Sequence, residues 1–105
     1  MFVKANGKFE RVFFDEIMMV EAMQNYVIMH LKETRLIVYM TLSGMEGQLP
    51  HDKFMRVHKS FVVSLSKVNS IDGHEIALGP HKVPISRNLR DEVMKRIMGD
   101  NLLQR

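Results

Sequence analysis

The sequence predicts a mainly β fold: antiparallel sheets, one short helix in the middle of the chain and one helix at its C-terminal end. Three observations carry that reading. Four or five short apolar or alternating runs, broken only by brief turns, fill the first forty residues. Connections so brief join antiparallel neighbours and leave no room for the crossovers of a parallel sheet. Dipeptides suited to tight hairpins, Asn6-Gly7 and Gly73-His74, punctuate both halves of the chain. A helical period of apolar residues appears at only two places, after Thr41 and after Ser86.

Taken in order, Phe2 to Ala5 and Lys8 to Val12 flank Asn6-Gly7, a pair that tolerates the positive φ angles of a two-residue hairpin turn. Phe13 to Glu16 breaks the alternation as a turn, and Ile17 to Ala22 is a short apolar run expected to be a strand buried on both faces. Met23-Gln24-Asn25 is polar enough for a loop tip. Tyr26 to Leu31 resumes the extended pattern, Lys32 to Thr34 turns, and Arg35 to Met40 follows with β-prone Leu36, Ile37, Val38 and Tyr39.

Leu42, Met45 and Leu49 then recur at helical spacing. Thr41 or Ser43 can cap this helix, and Ser43 with Glu46 fits a capping box. Gly44 and Gly47 each cost about 1 kcal/mol of helix propensity relative to alanine, so the helix is expected to be short, held by packing and stopped by Pro50. Ser64 to Asn69 reads as a turn or a single helical turn. Ser70 to Asp72 and Glu75 to Leu78 flank the second hairpin, and Gly79-Pro80 turns the chain into a last strand, Lys82 to Ile85. Pro84 confines that strand to a sheet edge. Ser86 is placed to cap the final helix, whose apolar stripe is Leu89, Val93 and Ile97, with Met94 and Met98 alongside. Asp91 with Lys95 and Glu92 with Arg96 are spaced for i,i+4 pairing. Gly99-Asp100 ends the helix, and Asn101 to Arg105 carries no pattern.

At 105 residues the chain is expected to be one domain, 1–105, with its core within 2–98 and a tail over 99–105. The absence of cysteine excludes disulfides and thiolate metal sites. His51 and His58, like His74 and His81, are seven apart rather than at the spacing of a helical zinc pair, so no metal or other cofactor is expected. No apolar run approaches the roughly 20 residues of a membrane span, and the first residues lack the apolar stretch of a signal peptide; a cytoplasmic location is expected, with no membrane partner. The ten methionines read as core and edge filling. Charge is uneven: residues 1–50 carry five Lys/Arg against six Asp/Glu, and residues 51–105 carry ten against six. A basic half is compatible with a nucleic-acid partner.

The most informative stretch is Phe54 to Val63. Phe54, Val57, Phe61, Val62 and Val63 supply apolar frame, with Arg56, His58, Lys59 and Ser60 between them. If residues 54 to 58 are extended, Phe54, Arg56 and His58 share one side and Met55, Val57 and Lys59 the other. Neither side is wholly apolar, which is a poor recipe for a purely structural strand. Two cations, an imidazole and a hydroxyl on a stiff frame suit an anion, phosphate above all. Arg87 and Arg90 fall in the first turn of the final helix, where cations oppose the macrodipole. A helix N-terminus with arginines suits a phosphate, and Arg87 has the fork that reads guanine N7 and O6. The plainer alternative is that both extend into solvent or pair with Asp91 or Glu92. Tyr26 and Phe61 are the aromatics closest to a stacking role, with core packing the expected one. His58 and Ser60, two apart on one expected strand face, could serve a nucleophile, yet neither a nucleophile elbow nor a glycine-rich phosphate loop is present. An enzyme is not expected.

The run Phe54-x-Arg56-Val57-His58-Lys59-Ser60-Phe61-Val62-Val63, followed by Val68-Asn69-Ser70-Ile71 and by Val83-Pro84-Ile85-Ser86-Arg87, resembles the LytTR family of DNA-binding output domains of bacterial response regulators. The resemblance spans about Phe2 to Ile97; Ser64 departs from it, standing where the family often has asparagine. It implies an elongated fold of antiparallel sheets that inserts loops into successive grooves of double-stranded DNA. Carried over residue by residue, it implies that Asn25 and Arg87 face bases and that Lys59 and Ser60 lie near the minor groove or a phosphate. It further implies that Arg56, His58 and Arg90, with Lys82 beside them, contact the backbone. It also implies an N-terminal receiver domain outside this chain and a dimer on direct repeats in the full-length regulator. The competing reading is a small β interaction module that binds protein or ligand, its basic face merely solvated.

Overall fold

The computed structural model describes residues 1–99; the expected tail, apart from Gly99, lies outside the described residues. Strands β1 (Phe2–Ala5) and β2 (Lys8–Arg11) form the first hairpin. Asn6 and Gly7 take φ of 56° and 76°, the positive values a turn with the strands' own twist demands. A 3₁₀ turn over Phe14–Glu16 leads into β3 (Ile17–Ala22), β4 (Val27–Leu31) and β5 (Arg35–Val38). Helix α1 (Leu42–Glu46) follows, then β6 (Phe54–His58) and β7 (Phe61–Ser64). A 3₁₀ turn over Leu65–Lys67 precedes β8 (Ser70–Ile71), β9 (Glu75–Leu78) and β10 (His81–Pro84), and a last one over Arg87–Leu89 precedes α2 (Arg90–Met98). Three antiparallel sheets result: β1-β2, β5-β4-β3-β7-β6 and β10-β9-β8. The domain measures 52 × 24 × 23 Å, so it is elongated as well as mainly β. Pro84 lies on an edge strand, as its missing N–H requires. No helix among the described residues is long and apolar enough to cross a membrane.

Two apolar cores lie on opposite faces of the five-stranded sheet. The first joins Val20, Val62 and Phe54 to Val3 and Ala5 of the hairpin and to Leu42 and Met45 of α1. The second joins Met19, Val63, Met55 and Val57 to Ile76, Leu78 and Val83 of the small sheet and Val93 of α2. Neighbouring residues of β3, β6 and β7 therefore report to different cores, which is why apolar runs and not alternation mark them in the sequence. Four methionines, Met19, Met29, Met45 and Met55, are buried, consistent with core filling.

Several local expectations are corrected. The central stretch is not one continuous strand: Lys59 and Ser60 form a turn, with His58 opposite Phe61, so His58 and Ser60 do not share a strand face. Only one side of β6 is mixed: Phe54, which fills the first core, shares its side with Arg56, whereas Met55 and Val57 fill the second core from a wholly apolar side. Thr41, not Ser43, caps α1: its hydroxyl accepts from the Gly44 N–H at 3.0 Å. Arg87 sits in a separate 3₁₀ turn, and the α-helix begins at Arg90, so only Arg90 occupies its first turn. Ser86 precedes that turn without a side-chain cap, its carbonyl accepting from the Leu89 N–H at 3.0 Å. Arg96 turns away from the helix to donate to the His51 carbonyl at 2.7 Å.

The five- and three-stranded sheets also meet through imidazoles. The His30 ring of β4 lies 4.7 Å from the His81 ring of β10, centroid to centroid, and His30 Nε2 is 3.0 Å from Glu21 Oε1 of β3. Burial, then the neighbouring His30 charge, push the His81 pKa below its ordinary 6.5, against a smaller upward pull from Glu21. The folded protein thus binds fewer protons at His81 than the unfolded chain does. Stability contributed by this group is full above pH 6.5 and is lost as pH falls through the lowered native value. Urea unfolding of the wild type and His81→Gln at about pH 7.5 and 5.5 checks this: the wild type should lose more stability on acidification than the variant. Equal losses would remove His81 from the account.

Candidate nucleic-acid interface

One end of the five-stranded sheet collects the connections that carry most of the residues singled out above. There β3 stops at Ala22, β4 starts at Val27, β6 stops at His58 and β7 starts at Phe61. The Ala22 N–H donates to the Ser60 carbonyl at 2.8 Å, tying the 23–26 loop to the 59–60 turn. The Ser86 N–H donates to the Val57 carbonyl at 2.9 Å, which brings Arg87 to the same end from the small sheet. Two backbone hydrogen bonds thereby place side by side three connections that are remote in sequence.

Within this cluster the side chains divide into held and free. The Arg56 guanidinium is held. Nη1 donates to Ser43 Oγ at 3.1 Å and to Glu46 Oε1 at 3.2 Å, Nη2 donates to the Lys59 carbonyl at 2.6 Å, and Nε reaches the His58 carbonyl at 3.4 Å. It fastens α1 to the 59–60 turn. His58 is held as well, since its Nδ1 accepts from the Ser60 N–H at 3.1 Å. The neutral ring then carries its proton on Nε2, the nitrogen left to donate outward. Lys59 is exposed, Asn25 is exposed at the tip of its loop, and Arg87 is exposed on its 3₁₀ turn. Among the described residues neither Lys59 nor Arg87 enters an ion pair.

Asn25, Arg56 and Lys59 line one groove, together with Tyr26, Tyr39 and Ser43. Arg87 stands next to the end of β6 through the Ser86–Val57 bond. Lys82 and Arg90 belong to the neighbouring three-stranded sheet and its helix. Lys82 Nζ is 4.0 Å from Glu75 Oε1, and both groups are largely exposed. Arg90 Nη2 lies 3.4 Å from His74 Nδ1, while its Nε is buried without an acceptor. Asp72 shapes the turn that presents His74, accepting from the His74 and Glu75 N–H groups at 2.7 and 2.9 Å. Those bonds hold its carboxyl below the ordinary value. Among the described residues no cluster of His, Asp and Glu could hold a metal ion.

Sequence reasoning missed Ser43 and Glu46 as the partners of Arg56, and Tyr39 as a groove residue. A signal existed for Tyr39 alone: with Leu36 and Val38 buried, the alternation of β5 carried one step further points Tyr39 outward.

This small β domain thus gathers an amide, an unpaired lysine and an unpaired arginine on connections at one end, a surface compatible with a polyanion. The family comparison makes this specific: the chain belongs to the LytTr DNA-binding domain family, whose model matches residues 7–98. The fold agrees with that of the LytTr DNA-binding domain described for a methyl-accepting/DNA response regulator of Bacillus cereus. The TM-score is 0.78 at 22% identity, over 94% of this chain and 95% of that one. No curated protein matches the sequence.

The position of Arg56 leads to a stability prediction. Lysine offers one compact charge where four acceptors converge on a planar fork, so Arg56→Lys should lose about 1 kcal/mol, or about 4–8 °C in a melt of a domain this size. A residue serving only as a phosphate contact would leave the melt unchanged.

Proposed function

We propose that this chain is the output domain of a bacterial two-component response regulator, binding double-stranded DNA sequence-specifically in the cytoplasm to regulate transcription. Membership of the LytTr DNA-binding family supports the binding activity. The response-regulator description of the similar Bacillus cereus domain supports the setting. The observation that carries the site is the gathering of Asn25, Lys59 and Arg87 on three connections pinned by the Ala22–Ser60 and Ser86–Val57 bonds.

In this reading Asn25 and Arg87 face base edges, because amide and guanidinium offer the bidentate patterns that distinguish adenine and guanine. Lys59 and Ser60 sit at the minor groove or a phosphate, with the His58 Nε2 proton directed to the backbone. Arg90, through the exposed end of its guanidinium beside His74, and Lys82 take phosphates along the neighbouring sheet. Arg56 keeps the 59–60 turn in place and has one Nη2 hydrogen left for the backbone. An N-terminal receiver domain and dimerisation on direct repeats complete the proposed full-length regulator. No cofactor or catalytic step enters.

Arg87→Ala in a duplex-binding titration tests the assignment. The exposed side chain touches no core, so melting should not fall. Loss of a bidentate contact worth about 1–3 kcal/mol should weaken the preferred duplex roughly 5- to 150-fold, and a scrambled duplex much less. Equal losses on both would demote Arg87 to a phosphate contact, and no loss on either would take it out of the site. In the wild type, about three to four phosphate neutralisations should give a slope of log K against log salt near −3. A flat dependence would sink the electrostatic part of the reading.

A further inference from the structure

Tyr39 is 74% exposed, the most exposed large hydrophobic residue among those described. It follows β5 directly and has no part in either core. Its ring is nevertheless not left to swing freely: the Tyr26 ring lies 5.6 Å away, tilted by 57°, within the favourable range for an aromatic pair. Both rings line the groove that holds Asn25, Arg56 and Lys59. On its other flank Tyr39 borders a wider cleft between β1 and the edge strand β5, where Lys4 is the one charged side chain. The groove, lined by both Arg56 and Lys59, carries one cationic side chain more than that cleft, and an anion drawn into it would lie against the tyrosine.

We infer that Tyr39, steadied by Tyr26, is a DNA-backbone contact: its phenol donates a hydrogen bond to a phosphate oxygen while the ring lies against deoxyribose. A duplex backbone alternates an anionic group with an apolar sugar, and a tyrosine beside a lysine matches both. The inference rests on the DNA reading of this groove and adds a residue to it. Being neutral, Tyr39 releases no counterion, so its contribution is separable from that of Lys59 by salt dependence.

The test titrates the wild-type chain, Tyr39→Phe, Tyr39→Ala and Lys59→Ala against the preferred and a scrambled duplex over a range of salt. Tyr39→Phe removes only the hydroxyl and should bind both duplexes roughly three- to tenfold more weakly, with an unchanged salt slope. Tyr39→Ala should lose at least as much on both. Lys59→Ala should weaken both and make the slope shallower by about 1. Wild-type binding by Tyr39→Phe alongside a weakened Lys59→Ala overturns the inference and leaves the DNA reading standing. A loss confined to the preferred duplex also overturns it, since that marks a base contact. Full binding by Tyr39→Phe and Lys59→Ala together would overturn both.

Discussion

The placement of the loops depends on β3, β6 and β7 being packed on both faces at once. Val20, Val57, Val62 and Val63 are fully buried, Val20 and Val62 in one core and Val57 and Val63 in the other. Sliding one of these strands by a single residue would exchange its whole set of side chains between two differently shaped cores. The pairing of His58 with Phe61 is therefore fixed from both sides, and with it the position of the two-residue turn between them. A register irregularity between Arg56 and His58 takes up the residue at Val57. Beyond that point the apolar frame stops, and the polar residues of the stretch emerge at the end of the sheet and not on one of its faces.

Electrostatics divides the same stretch in a way composition does not reveal. Arg56 and Lys59 are three residues apart and carry equal charge, yet Arg56 faces Glu46 and backbone carbonyls while Lys59 faces solvent. A planar fork with five donors suits convergence on several fixed acceptors, and a flexible ammonium suits an acceptor that arrives from outside. The net charge of +3 is thus a weak guide to the surface. What matters is where, among the described residues, unpaired cations lie: Lys59 and Arg87 are two of them, brought to one end of the sheet by the Ser86–Val57 bond.

Much of the fold was legible because its signals are local. Asn6-Gly7 has little choice of turn, Pro84 little choice of strand, and the runs of β3 and β4 are too apolar to be anything but buried. The Lys59-Ser60 turn was not legible, since neither residue takes the positive φ that marks a hairpin in a sequence and the apolar pattern resumes at once at Phe61. Its location is set by tertiary pairing, Glu21 opposite Phe61 and the Ala22–Ser60 bond. The capping box at Ser43 and Glu46 failed for a related reason: both side chains are claimed by Arg56, remote in sequence, and Thr41 caps the helix instead. Asn25 could be read as a loop tip, whereas its neighbourhood with Lys59 could not, because that depends on which strands adjoin.

Asn25 and Arg87 descend from different sheets, Asn25 from the β3–β4 loop and Arg87 from the connection between β10 and α2. Their separation is governed by the second core, where Met19, Met55, Val57 and Val63 of the large sheet meet Ile76, Leu78, Val83 and Ile85 of the small one. Such packing is stiff and does not deform continuously. Short connections on that base leave little conformational freedom to be lost on binding, which favours affinity without added contacts. If Asn25 and Arg87 read bases as proposed, a duplex, with its regular repeat, is matched only when both residues keep that spacing. On the proposed base-reading roles of Asn25 and Arg87, the fully buried Ile76 and Val83, unable to touch a ligand, would influence recognition through the distance they maintain.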